Sequence, residues 1–364
     1  MKKVIAKTGV GSARGPAICR RAVEKMRAYH PPLEGRTEKL RLDFNENPIG
    51  CSPKVRRALA KLSSATICSY PEQETVRRKV ARHFGVRPEE LLLTNGTDEA
   101  LSLVISTFVE ARDTVLLVEP TYAMYRFYSE LAGARIEAPR YDAEMRFPWG
   151  AVLQALRRAP SVFFLANPNS PTGNLLSRRE LARILAAAST RTMVVIDEAY
   201  FEFSGVTVIP WIRRHSNMIV TRTFSKTAGL AGLRLGSLFV NRDTAVIMRK
   251  AQSPYPVNVA ALAAGEAAIG DRQFIVRTVR EVRFGRRELE RGLARLGVKW
   301  FPSGGNFLLV HFGERAKAVV AGLARKGILV RDRSSDFGGE GYVRITLGTR
   351  AQTRRLLVEL GRML

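Results

Sequence analysis

The sequence predicts an α/β protein whose main sheet is mostly parallel. Met193-Val-Val-Ile-Asp197 is a β-branched run too apolar for a strand with one wet face, and such runs belong to sheets covered on both sides. It ends in Asp197 and Glu198, with Tyr200 close behind, and acids at the C-terminal end of such a strand lie where open α/β sheets bind ligands. Val115–Val118, Ser161–Leu165 and Met218–Val220 repeat the short buried run, each passing into a polar or glycine-containing turn.

A chain of 364 residues is long for one hydrophobic core and suits two domains. Residues 1 to about 40 are basic and carry no acid before Glu24, and a weak amphipathic pattern from Ala22 to Tyr29 predicts a helix. Leu42-Asp-Phe-Asn-Glu-Asn-Pro48 has the Asn and Pro density of a turn. Ser52 followed by Pro53 starts a helix, the serine as N-cap and the proline in the first turn. Tyr70, in Ser69-Tyr-Pro-Glu72, reads by itself as a half-buried turn aromatic. Leu91-Leu-Leu-Thr-Asn-Gly-Thr-Asp98 is a strand, a tight glycine turn and a helix start, and the N–H groups of such a start bind anions. Gln252–Asn258, with two prolines, reads as a linker. Beyond it come a long basic helix from about Arg272 to Leu296, a loop into the strand ending at Val310, and two short strands, Ile328–Asp332 and Tyr342–Thr349. Each of those two strands carries one arginine, Arg331 or Arg344, in an otherwise apolar run. A buried arginine needs a counter-charge, which a substrate carboxylate or phosphate would supply.

Composition narrows the function. The formal charge of +26 admits a nucleic-acid binder, but the basic residues are scattered along helices (Arg77-Arg78-Lys79, Arg286-Arg287) and no zinc-finger or RNA-recognition pattern accompanies them. They read as solvated helix faces, with a field that concentrates phosphorylated substrates. Cys19, Cys51 and Cys68 lack metal-ligand spacing and cannot all pair, which fits a reducing cytoplasm. No run reaches the ~20 apolar residues of a membrane span, and the N-terminus has no secretory core.

Thr221–Gly236 holds Ser225, Lys226 and Arg234 in a glycine-rich segment without an acid, a setting that favours a phosphate. Desolvated beside another cation, Lys226 becomes an amine nucleophile. Alone, the segment reads equally well as a helix N-terminus with a basic face. A strand ending in Asp-x-Ala-Tyr, then Ser-Lys-x-x-x-Leu-x-Gly-Leu-Arg-x-Gly some thirty residues on, resembles the fold-type I pyridoxal-phosphate (PLP) aminotransferases. The Asn45-Glu-Asn-Pro48 element is similar to that of the histidinol-phosphate aminotransferase family, and family features run from about Asp43 to Thr349.

The resemblance implies a large PLP-binding domain on a mostly parallel sheet, residues 65–258, and a smaller C-terminal α+β domain, residues 259–364. Residues 1–64 would supply an N-terminal arm, packing on the partner subunit, and part of the smaller domain. Lys226 would bond the cofactor aldehyde and move protons, Asp197 would pair with the pyridine nitrogen, and Tyr200 would bond the ring oxygen. Gly96, Thr97, Asp98, Ser225 and Arg234 would hold the phosphate, and Tyr122 would stack on the ring, whereas Tyr125 is read as core packing. Ser170 stands where many relatives have the asparagine that bonds the ring oxygen, so Asn169 is expected to substitute. Tyr70 would reach the cofactor site of the other subunit of a homodimer. Asn45, Arg331 and Arg344 would bind substrate, Arg344 an α-carboxylate and Arg331 a phosphate. The implied reaction joins L-histidinol phosphate and 2-oxoglutarate. Aromatic amino-acid aminotransferases and threonine-phosphate decarboxylases share the fold and are the alternatives within it.

Overall fold

The computed structural model describes residues 18–28, 32, 34–339 and 341–364. The strands are β1 (Leu40–Leu42), β2 (Leu91–Asn95), β3 (Thr114–Leu116), β4 (Arg135–Glu137), β5 (Val162–Ala166), β6 (Met193–Asp197), β7 (Met218–Thr223), β8 (Leu235–Val240), β9 (Lys299–Phe301), β10 (Phe307–His311), β11 (Ile328–Asp332) and β12 (Tyr342–Thr346). Seven form one sheet in the order β2-β8-β7-β6-β5-β3-β4, and five form a second in the order β1-β11-β12-β10-β9. In the larger sheet β7, β6, β5, β3 and β4 are parallel, and β8 runs antiparallel to both β7 and β2.

The apolar runs follow from burial on both faces. Along β5, Phe163 and Leu165 enter one core while Phe164 enters the other; along β6, Val194 and Ile196 part from Val195 in the same way. The chain steps outward from β3 to β4 and then returns to β5 on the other side of β3. That reversal places a crevice at the C-terminal ends of β3 and β5, where doubly wound sheets bind ligands.

Around the smaller sheet a third core gathers Leu42, Val282, Leu289, Leu308, Val343, Ile345 and Leu356. Thr278, Val282, Gly285, Leu289 and Leu293 of the helix Arg272–Arg295 repeat at three- and four-residue steps and are buried, while Arg277, Arg280, Arg283, Arg287 and Arg291 are exposed. β1 pairs in parallel with β11, so the first part of the chain completes the C-terminal sheet. Ala261, Leu262, Ala264 and Ala268 of the helix Val259–Ile269 pack in the core of the larger sheet, although the proline-rich linker at 252–258 places this helix with the C-terminal part. Near the N-terminus the helix is shorter than its pattern implies, Arg21–Lys25, and Tyr29 lies outside the described residues, as does most of the expected arm. Its described part lies against the chain's own helix Ala123–Ala132, where Arg20 donates to the Leu131 carbonyl.

Beneath β6 and β7 a buried ion pair joins Arg222, 4% exposed, to Glu198, 1% exposed, at 2.7 Å. Arg222 also donates to Thr207 at 2.8 Å and lies 3.5 Å over the Phe201 ring. Removing one member leaves the other charge buried alone, which costs ~3–5 kcal/mol. Arg222→Met should therefore lower unfolding stability in urea by about 3 kcal/mol or more, and adding Glu198→Leu should restore part of it. Equal losses in the single and double variants would mean that the lone charge is not the cause.

Candidate active site

A cavity of about 200 Å³ opens at the C-terminal ends of the parallel strands. Each wall comes from the turn after a strand. Asp197 ends β6, Lys226 follows β7, Tyr122 follows β3, Pro168 and Ser170 follow β5, and Thr97 and Asp98 follow β2. Phe44 and Glu46 close it from the side of the smaller sheet.

Asp197 is 5% exposed and accepts from the Tyr125 hydroxyl at 2.7 Å and from the Ala199 N–H at 3.1 Å. Burial pushes its carboxyl above the ordinary value, and the bonds from Tyr125 and Ala199 pull the other way. The carboxylate therefore suits a cationic, hydrogen-bonding partner in the cavity, such as a protonated ring nitrogen. Tyr125, read from the sequence as core packing, is the residue that holds it. Burial first, and Asp197 second, keep this phenol well above its usual value and hence protonated.

The opposite end of the cavity is built for an anion. The helix Gly96–Phe108 begins there, and its first N–H groups have no intrahelical acceptor. Thr97 Oγ1 is buried without a hydrogen-bond partner, and Ser225 and Arg234 share the same wall. Arg234 has a left-handed backbone, φ 53°, which turns the chain from the Lys226 loop into β8. Its guanidinium donates to Asp98 at 2.9 Å and lies so close to Gly96, φ 72°, that a Cβ there would collide with it. Asp98 also accepts from Tyr122 at 2.7 Å, so what it can offer an anion is its backbone N–H.

Lys226 lines the same cavity through its Nζ-bearing side chain. It donates to the Phe44 carbonyl at 3.1 Å and sits 5.8 Å from the centre of the Tyr200 ring. Together the groups suit a flat ligand with a cationic ring nitrogen, a phosphate and an electrophilic carbon within reach of an amine.

The structure corrects some expected contacts. Asn169 does not line the cavity. Its amide is consumed by Thr172 of its own turn and by the turn after β3, donating to the Pro120 carbonyl and Thr172 Oγ1 at 2.9 and 2.8 Å and accepting from Thr121 at 2.7 Å. The neighbour Ser170 faces the cavity instead and accepts from Arg344 at 3.0 Å. Asn45, 1% exposed with φ 54°, also stays behind the wall, where it donates to Tyr200 Oη at 2.8 Å. Tyr70 is 77% exposed, stacks on Tyr255 at 4.3 Å, and is absent from the cavity of its own chain. Arg331 and Arg344 stand directly opposite each other on β11 and β12. They flank the cavity through its lining residues, Arg331 lying 5.8 Å over the Phe44 ring and Arg344 bonding Ser170. Glu46, ion-paired to Arg36 and Arg41, is a lining residue that sequence reasoning passed over, although it sits in the same motif as Asn45.

A buried acid at a strand end, a lysine after the next strand and an anion-binding helix start define the site class of the PLP-type transferases. The family model described as aminotransferase class I and II matches residues 37–360. A histidinol-phosphate aminotransferase of Symbiobacterium thermophilum is 35% identical, covering 94% of this chain and 97% of its own. Histidinol-phosphate aminotransferase 2 of Legionella pneumophila (strain Lens) is 34% identical over 90% of each chain. Among solved structures, histidinol-phosphate aminotransferase of Sinorhizobium meliloti, in complex with pyridoxal-5'-phosphate, superposes with a TM-score of 0.87 at 24% identity, covering 97% of this chain and 98% of that one. The chain belongs to the class I and II aminotransferases, and within them to the histidinol-phosphate aminotransferase family.

Gly96→Ala should weaken binding of inorganic phosphate about tenfold or more in a calorimetric titration, because the new Cβ displaces Arg234 and strains φ. Gly232→Ala, in the loop that carries Arg234 but facing open space, should leave it unchanged. Equal affinities in both variants would remove the anion site from this turn.

Proposed function

We propose that this chain is a pyridoxal-phosphate-dependent aminotransferase that turns L-histidinol phosphate and 2-oxoglutarate into imidazole-acetol phosphate and glutamate, acting in histidine biosynthesis as a cytoplasmic homodimer. One observation carries the substrate assignment. Arg331 and Arg344 face each other across adjacent strands beside the cavity, and like charges directly opposite are destabilising. An anionic substrate offsets that repulsion. Histidinol phosphate brings a phosphate and no carboxylate; glutamate brings two carboxylates to the same pair. The names of the relatives support the same reading.

The residues fit pyridoxal phosphate. Thr97, Ser225, Arg234 and the helix start would take its phosphate, Asp197 its ring nitrogen, Tyr200 its ring oxygen, Tyr122 the ring face and Lys226 its aldehyde carbon. Once bound, the group supplies an electron sink that makes the substrate Cα–H acidic. The Lys226 amine would take that proton from Cα and deliver it to the carbon that had carried the cofactor's aldehyde. Asp197 would pair with the ring nitrogen and favour its protonated form. Ser170, which lines the cavity as Tyr200 does, is the residue of that turn we assign to the ring oxygen in place of Asn169.

Lys226→Ala should abolish both turnover and the visible absorption of the purified protein; retained turnover would refute the cofactor role. Arg331→Ala removes a charge-assisted contact of ~1.5–3 kcal/mol, so kcat/KM for histidinol phosphate should fall about tenfold or more. Phenylalanine, as amino donor, should suffer less. Should wild-type protein prefer phenylalanine, or should Arg331→Ala affect both donors alike, the aromatic aminotransferase becomes the better reading. No helix among the described residues is long and apolar enough to cross a membrane, and Cys19, Cys51 and Cys68 are free thiols, which supports the cytoplasm.

The dimer rests on Tyr70, exposed and remote from its own cavity, which we assign to the partner's site. Mixing Tyr70→Ala with Lys226→Ala protein, each nearly inactive alone, should restore part of the activity through hybrid dimers. A monomer in light scattering at assay concentration would overturn the shared site.

A further inference from the structure

We propose that Thr346, on β12, is a positioning residue that fixes the direction in which Tyr200 donates its hydrogen bond. The inference rests on the reading of Tyr200 as the partner of the cofactor's ring oxygen.

The argument follows the protons. The backbone N–H of Asn45 donates to Thr346 Oγ1 at 3.0 Å. That nitrogen can only donate, so Thr346 uses a lone pair on it and keeps its own proton. The acceptor for this proton is Asn45 Oδ1, 3.1 Å away. With its oxygen turned to Thr346, the Asn45 amide must present its NH₂ to Tyr200 Oη, 2.8 Å away. Tyr200 Oη is thereby an acceptor toward Asn45, and its single proton is directed elsewhere. Tyr200 lines the cavity, so the proton is available to an acceptor bound there.

Rigidity around the relay maintains this polarity. Thr346 and Asn45 are 1% exposed, so bulk solvent has little access to their bonds. Asn45 has a left-handed backbone that a second buried amide, Asn306, clamps by donating to its carbonyl at 3.0 Å. The Tyr200 ring packs edge-on against Phe307 at 5.2 Å, which restrains its tilt. Thr346 is two residues beyond Arg344, on the same face of β12. The strand that carries an anion-binding arginine thus also sets the polarity of Tyr200, so a substrate that pulls on β12 bears on both.

The ring oxygen is most acidic when it receives a full hydrogen bond, so weakening that donor raises the pH midpoint of the bound cofactor's visible band. Thr346→Val keeps the shape of the side chain and removes the hydroxyl. Its band should titrate about half a unit or more above wild type, short of the shift in Tyr200→Phe. Thr346→Ser should titrate like wild type. Asn45→Asp, whose new carboxylate can only accept, should draw the Tyr200 proton back and shift the midpoint upward as well; this variant serves if Thr346→Val does not fold. A Thr346→Val midpoint equal to wild type, with Tyr200→Phe shifted, would overturn the role of Thr346 while leaving Tyr200 in place. No shift in Tyr200→Phe, or no visible band in wild-type protein, would instead remove the reading of the site and this inference with it.

Discussion

The burial of two adjacent acids at the end of β6 is the constraint on which the rest of the site depends. A strand covered on both faces sends successive side chains into opposite layers. Asp197 and Glu198 therefore part company although they are neighbours in the chain. Glu198 turns to the scaffold and meets Arg222 in a closed ion pair, with Thr207 and the Val208 N–H filling its remaining acceptor positions at 2.8 and 2.6 Å. Asp197 turns to the cavity, and the groups that bond it are neutral. The same strand end thus supplies one acid that is neutralised by protein and one whose charge is available to a ligand. Moving the register by one residue would exchange the two roles.

The second constraint is the crossing of the chain from the smaller sheet to the larger one. β1 belongs to the five-stranded sheet, and the residues right after it reach the cavity. The Asp43 carbonyl accepts from Arg344, the Phe44 carbonyl from Lys226, and the Asn45 carbonyl from Asn306. Asn47 donates to the Thr227 carbonyl at 2.7 Å, fixing the residue next to Lys226. A short segment thus ties the lysine loop, Tyr200 and both arginine-bearing strands to one backbone. Arg36, bonded to Asp43 at 2.8 Å and stacked 4.1 Å over Phe44, holds the segment from behind.

Groups that must project from a strand end or a tight turn were legible in the sequence, because local pattern decides their direction. Asp197, Lys226, Thr97, Tyr122 and Arg234 all line the cavity for that reason. The errors concern residues whose direction is set by distant partners. Asn169 and Ser170 are equally plausible in a Pro-rich turn; what separates them is that Pro120 and Thr121, some fifty residues earlier, capture the Asn169 amide. Asn45 was read as facing substrate, but Thr346 and Asn306, about three hundred residues later, turn it to Tyr200. Tyr125 had the opposite fate. Its helical position suggests only packing, and its hydroxyl proves to be the bond that holds Asp197. The spacing of three from Tyr122 is the local signal that both rings lie on one side of the same helix turn.

Charge shows the same division between local and global causes. Most arginines of the helix Arg272–Arg295 are exposed, as solvated faces require, so the net charge of +26 carries little information about chemistry. The informative cations are distinguished by their surroundings. Arg222 is buried and paired, so it serves the fold. Arg234 is held by Asp98 against a glycine, so it is aimed at the anion end of the cavity without being fully neutralised there. Arg331 and Arg344 oppose each other across a strand pair, an arrangement that costs stability unless an anion comes between them or alongside. Nearby, burial raises the Asp336 carboxyl, and Arg333, then Arg344 and Arg331, draw it the other way. Asp336 is ion-paired to Arg333, so the nearest acid to this arginine pair is itself partly neutralised by a third arginine.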